Sequence, residues 1–282
     1  MGNINRPMLL PADHDLMLRI AKHGFVDMEY IYRFAYPKRK KRTIDDRLLQ
    51  LERHKYVNIT RTFIPPDYTM NYRCGYRIIT LGVNGLEVME NMGILAADHR
   101  EIIKTSSPYR MYHQVQVASV CDTIQSCYQD SSESRWEVLE ILNEKEAYLE
   151  ENLNQPDAVL VFKQKGSDPA TSPMIIIYLE IERSYASVKS LNRKLRGYEI
   201  SVKKRLYDQK LNYRFAEQRV LFVTQTMLQR QALITKLMTQ KTSLHLLVSG
   251  YQETIHQPMD SIYIVPGCEP CRLLAKYPVL NN

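Results

Sequence analysis

The spacing of apolar and polar residues changes character along the chain. In the first hundred residues it is helical in three short stretches. Asp13 or Asp15 can cap the first, in which Leu16, Ile20 and Ala21 are apolar and Gly24 marks the end. Asp27 can cap the second, Met28 to Ala35, which Pro37 closes. Thr43 opens the third, TIDDRLLQLERHKY, where Ile44, Leu48 and Leu51 fall on one face; Thr43 with Asp46 resembles a capping box with aspartate in place of glutamate. The period then switches to two. Val57 to Phe63 and Tyr72 to Thr80 flank a Pro-Pro-Asp turn and predict a hairpin, and TLGVNGLEVMENM starts another helix. Three short helices followed by a hairpin predict a winged helix-turn-helix.

Thr105-Ser-Ser-Pro108 reads as a hinge, so the expected domains are residues 1–105 and 106–282. Beyond it, Tyr109 to Tyr128 is helical and WEVLEILNE is strand-like. Asp157 to Phe162 and Met174 to Ile181 read as strands joined by the turn-rich KQKGSDPATSP. A long basic helix follows, from about Ser187 to Arg205, then the strand RVLFVT, the helix MLQRQALITKLM and the strand LHLLVSG. This order predicts an α/β domain with a central mixed sheet flanked by helices, and the whole chain is expected to be a two-domain α+β protein. The segment after Gly250, with its four prolines, reads as a final strand and tail or as an interface.

Composition narrows the class. The chain has 282 residues, 44% hydrophobic and 24% charged, enough for a substantial core. No apolar run approaches the roughly 18 residues of a membrane span, and the start has no secretory pattern, so a cytoplasmic protein without membrane contact is expected. Five cysteines predict reduced thiols; Cys268 and Cys271 form a CxxC without a second ligand pair at zinc spacing. The net charge is +7, with most of the excess in the first domain, which favours a polyanionic partner. The winged-helix reading assigns Thr43, Arg47 and Gln50 to base edges and Lys38, Arg39, Lys40, Lys41 and Arg42 to phosphates. The alternative makes this run a solvated loop or a localisation signal, and the domain a protein-docking module.

The candidate chemistry lies at strand ends. Asp157 begins one strand and Glu180 ends its neighbour, so a hairpin brings them together. Alternation puts Glu180 and Glu182 on one face. Such acids are either solvated edges or ligands for a hard cation, Mg²⁺ or Mn²⁺, that could activate water against a phosphodiester. The seven histidines contain no His-x-His pair, which disfavours a relaxase built on tyrosine and a histidine triad. Most of the 19 tyrosines are then core or rim residues; Tyr198, on the basic helix, is the one to watch. Trp136 reads as core, His113 as structural more than functional, and Glu144 as a possible further acid. No Gly-rich phosphate loop supports ATP dependence.

Pro156-Asp157, a strand, a turn, a second strand and Glu180-Ile-Glu182-Arg183 resemble the PD-(D/E)xK restriction-endonuclease-like superfamily. With the N-terminal winged helix, Thr80-Leu-Gly-Val, the helix carrying His113 and the strand around Trp136, the chain resembles the plasmid replication-relaxation family and the MOB-C class relaxases over residues 10 to 225. The resemblance implies metal-dependent nicking of supercoiled, double-stranded plasmid DNA at a transfer origin, with other transfer-complex proteins as further partners. Asp157 and Glu180 carry over as metal ligands. Glu182 stands where many members have lysine, so it is ligand or base, and Lys189 or Arg193 is expected to supply the missing charge. Arg193 and Lys194 are expected to hold the phosphate backbone, with Lys189 counted as catalytic. Two other functions stay open: a DNA-binding regulator or replication accessory factor with a degenerate nuclease fold, and a docking module.

Overall fold

The computed structural model describes residues 8–62, 76–94, 106–150, 153, 155–169, 171–185 and 187–277. The chain forms two compact units, Met1–Ser119 and Val120–Asn282. Thr105, where the expected hinge begins, and the Pro-Pro-Asp turn lie outside the described residues.

The first unit opens with α1 (Pro11–His23), ended by Gly24 at φ 79°. Asp13 caps it from inside the first turn: its Oδ2 accepts the Leu10 N–H at 2.6 Å. A two-residue strand β1 (Val26–Asp27) leads into α2 (Met28–Tyr30), continued by a π-helical turn over Ile31–Ala35. Asp27 caps this segment by accepting the Tyr30 N–H at 2.7 Å. The third helix, α3 (Lys41–Arg53), starts two residues before Thr43. Its N-cap is Lys40, with no side-chain cap bond, so the expected Thr43–Asp46 capping box is not formed. Strands β2 (Val57–Thr62) and β3 (Tyr76–Leu81) pair antiparallel, and β1 joins the other edge of β3. Leu16, Ile20, Ile31, Leu48, Leu51, Val57 and Ile79 are fully buried together.

Helix α4 (Val83–Asn91) follows at once, and its entry explains Thr80-Leu-Gly-Val. Gly82 donates its N–H to the Tyr56 carbonyl at 2.9 Å, and any Cβ on it would overlap the Lys55 carbonyl. The glycine there is a packing requirement.

Helix α5 (Pro108–Asp130) contains the division between the units. The second unit then builds a seven-stranded mixed sheet from β4 (Trp136–Asn143), β5 (Ala158–Gln164), β6 (Met174–Glu182), β7 (Phe215–Thr224), β8 (His245–Gly250), β9 (Tyr263–Ile264) and β10 (Pro270–Cys271), in the order β10-β9-β8-β7-β6-β5-β4. The β6–β7 and β7–β8 pairs are parallel and the others antiparallel. All nine residues of β6 are buried, which is why it reads as a continuous apolar run. Helices α6 (Val188–Lys203), α7 (Leu206–Leu211), α8 (Met227–Met238) and α9 (Tyr251–His256) connect the later strands. Ser187 caps α6, and Thr226 with Gln229 forms a capping box on α8.

The segment after Gly250 thus adds α9 and the β9–β10 edge. Arg219, buried on β7, bonds both oxygens of Glu217 and donates to the Leu273 and Ala275 carbonyls, fixing the last described turn to the sheet. No helix among the described residues is long and apolar enough to cross a membrane.

Candidate active site

The β5–β6 hairpin sets the geometry. Ala158 pairs with Leu179, which places Asp157 opposite Glu180. Asp157 donates its N–H to the Leu179 carbonyl at 2.9 Å, and its Oδ2 accepts the Ile181 N–H at 2.6 Å. Glu182, two residues beyond Glu180, pairs with Thr224 on parallel β7. Glu180 and Glu182 therefore stand at the carboxyl end of β6, which runs parallel to β7, where open α/β sheets bind their ligands, and Asp157, just before antiparallel β5, lies at the same end. Unlike ordinary strand-end acids, Glu180 and Glu182 are buried, 3% and 8% exposed.

Their partners come from α6. Leu191, Leu195, Tyr198 and Ser201 form its buried side, and Lys194 lies on that side too. Lys194 Nζ donates to Glu180 Oε2 at 2.7 Å and to Glu182 Oε1 at 2.5 Å. The Tyr198 hydroxyl donates to Glu180 Oε1 at 2.5 Å, and its ring stacks on Tyr178 at 5.1 Å. Burial alone would lower the Lys194 pKa. Glu180 and Glu182 outweigh it and hold the ammonium above its ordinary value. Burial pushes the Glu180 carboxyl up, Lys194 pulls it back, and neighbouring Asp157 adds to the rise. Burial and then Glu180 keep the Tyr198 phenol well above its usual range, so it stays a donor.

In donor type these groups suit a hard divalent cation: carboxylates on adjacent strand ends. As folded, the Lys194 ammonium bridges two of them. Among the described residues no three acidic, histidine or cysteine side chains converge on a common metal position.

The remaining sequence candidates separate clearly. Lys189 and Arg193 are exposed on α6, and among the described residues neither has a hydrogen bond or ion pair to the acids. Lys194, expected on the phosphate backbone, is half-buried and paired with Glu180 and Glu182. The signal was present in the sequence, since Lys194 is three residues from Leu191 and four from Tyr198, both on the buried stripe. Glu144 follows Asn143, the partner of Ala158, and its carbonyl accepts Gln155 Nε2 at 2.6 Å. Trp136 is core. His113 belongs to the first unit, on α5. Cys268 and Cys271 are free thiols at the β9–β10 edge.

In the first unit, Lys38, Arg39, Lys40, Lys41, Arg42, Thr43 and Gln50 are all exposed. Lys41 lies over the Tyr32 ring and within 3.4 Å of Glu29. Arg47 is committed inward: it grips fully buried Asp13 through Nε at 3.1 Å and Nη2 at 2.5 Å, and donates to Gln50 Oε1 at 2.5 Å. The Tyr36 hydroxyl donates to the same carboxylate at 2.6 Å.

The family model for Replication-relaxation matches residues 18–213, and the chain belongs to that family. The solved structure of the restriction endonuclease FokI is similar at 13% identity and a TM-score of 0.33, over 90% of this chain and 44% of that one. This chain thus spans less than half the length of that protein, and the likeness is too loose to argue from. No curated protein matches the sequence.

Proposed function

We propose that the chain is a metal-dependent DNA-nicking endonuclease, a relaxase acting at a plasmid transfer origin. In this reading the second unit is restriction-endonuclease-like, and the first is a winged helix that binds duplex DNA through Lys38 to Thr43 and the exposed side of α3. The observation that carries it is the cluster of Asp157, buried Glu180 and Glu182, and half-buried Lys194 at one end of the sheet. Family membership supports the plasmid substrate.

Asp157 and Glu180 would hold Mg²⁺ or Mn²⁺, with Glu182 as a further ligand or as the base accepting a proton from water. When bound, the cation supplies activation of water and neutralisation of charge at the departing 3′ oxygen. Tyr198 fixes one oxygen of Glu180 and leaves the other toward Asp157 and Lys194. Lys194 supplies the positive charge that the strand motif lacks, and with a metal on the carboxylates its ammonium would be available to neutralise a scissile phosphate. Lys189 and Arg193, exposed on the far side of α6, contact backbone phosphates and are not part of the reacting centre.

One observation favours a second reading, a DNA-binding regulator: acids already neutralised by a lysine form a stable ion pair without any metal. Relaxation of a supercoiled plasmid carrying the protein's own neighbouring DNA decides between them. Wild type is compared with Asp157→Ala and Glu180→Ala in Mg²⁺ or Mn²⁺. The nuclease reading expects metal-dependent open circles from wild type only. Salt-sensitive binding without any nicking would transfer the case to the regulator.

A further inference from the structure

Helix α6 has two unlike faces. The buried one carries Lys194 and Tyr198 to the acids. Lys189, Arg193, Arg196 and Lys203 are all exposed and recur at helical spacing on the opposite side, together with exposed Asn192. Among the described residues none of these four cations makes a hydrogen bond or an ion pair. The one acid of the helix, Glu199, is half-buried at the margin and accepts the Thr242 hydroxyl at 2.6 Å.

Helix stability does not account for this pattern. Lys203 in the last turn is favourable to the helix dipole, but Lys189 stands in the first turn, where a cation opposes it. One carboxylate, Glu199, stands at the usual pairing distance, three residues from Arg196 and four from Lys203, but it accepts the Thr242 hydroxyl, and among the described residues it forms no ion pair with either cation.

We infer that this face of α6 is a track for the phosphate backbone of DNA, leading one strand to the acid cluster. From Lys189 to Lys203 the face runs about 21 Å, matching roughly six nucleotides at the duplex rise. Its N-terminal end, at the Ser187 cap, lies five residues after Glu182, so the track arrives where β6 delivers its acids. Tyr185, 59% exposed between them, stands at that arrival point. The surface is separate from the basic run of the first unit and gives the second unit its own hold on DNA. The inference rests on the nuclease reading for what lies at the end of the track, but not for the track itself.

The test is the salt dependence of DNA binding by the full chain, followed by fluorescence anisotropy without divalent metal. Its probes are duplex and single-stranded forms of the protein's neighbouring DNA, between about 50 and 200 mM salt. The variant combines K189Q, R193Q, R196Q and K203Q, all at exposed positions. Its control removes four exposed cations elsewhere in the unit: R214Q, K241Q, R272Q and K276Q. Losing four phosphate contacts lowers the slope of log K against log salt by about 3.6 on duplex and about 2.8 on single strands. The control is expected to change it by less than about 1. Equal losses in both variants, or no loss in the first, would overturn the track, as would its cations binding anionic vesicles and leaving the DNA slope untouched. Binding is read without metal and plasmid nicking separately in Mn²⁺, so a slope change with no nicking by wild type in Mn²⁺ keeps the track and removes the nuclease. Nicking with an unchanged slope does the reverse.

Discussion

Replacing Lys194 with methionine removes one ammonium from between two buried carboxylates and keeps the packing volume of the stem. Breaking a buried ion pair by deleting one partner costs about 3–5 kcal/mol, because the remaining charge stays desolvated. Lys194 is about a quarter exposed, 25% by side chain, so the expected loss is nearer 2–4 kcal/mol. For a unit of this size that is a fall in melting temperature of about 5–15 °C near pH 8 without divalent metal. The loss has a particular form. Glu180 already has a raised pKa, so its contribution is most favourable while it is protonated and is lost as pH rises through its folded value. Lowering the pH to about 5 lets a proton take the place of the missing ammonium, and part of the stability returns. Mn²⁺ in hundred-fold excess over its dissociation constant restores about 2.7 kcal/mol. Thermal melts of wild type and Lys194→Met at both pH values, with and without Mn²⁺, read all three effects. A variant that melts with wild type near pH 8, or whose deficit ignores both pH and Mn²⁺, would refute the reasoning.

Other outcomes follow from single contacts. Arg47→Ala is expected to destabilise the first unit by about 3–5 kcal/mol in denaturant titrations, since it strands the fully buried Asp13 carboxylate; a variant of normal stability with altered DNA sequence preference would return Arg47 to base reading. Gly82→Ala forces its methyl onto the Lys55 carbonyl and is expected to cost about 1–3 kcal/mol by the same titration. For Glu217, burial works against ionisation, but His245 and Arg219 prevail and hold its pKa at about 2. Its contribution is therefore full above the ordinary value of 4.5 and lost as pH falls from there toward 2, a loss of about 2–3 kcal/mol that Glu217→Gln removes from acid-denaturation curves. Tyr198→Phe leaves one Glu180 oxygen without its donor and is expected to cost about 1–3 kcal/mol, read by thermal melts near pH 8.

Much of this was legible in the sequence because local rules governed it. Gly24 and Asp27 do what their residue types suggest, and the Met227–Met238 helix has the bounds its pattern gave. The β5–β6 pairing brings Asp157 and Glu180 together as a hairpin between these strands requires. What failed was long-range. Helix α3 buries Ile44, Leu48 and Leu51 as their spacing suggests, but it begins at Lys41, so Lys41 and Arg42 lie in its first turn ahead of Thr43. Arg47 looked like a base reader until Asp13, 34 residues earlier, turned out to hold it. Lys194 was hidden by its basic neighbours: charge counting groups it with Arg193, whereas helical phase puts it on the other side.

The central claim is that the strand-end acids hold a divalent metal in exchange for Lys194. Mn²⁺ titration of the full chain followed by electron paramagnetic resonance tests it most directly, because it needs neither the DNA site nor catalysis. The account predicts one saturable Mn²⁺ per chain in wild type, its loss in Asp157→Asn and Glu180→Gln, and tighter binding in Lys194→Met. Binding that is absent from wild type, or indifferent to all three substitutions, would contradict it.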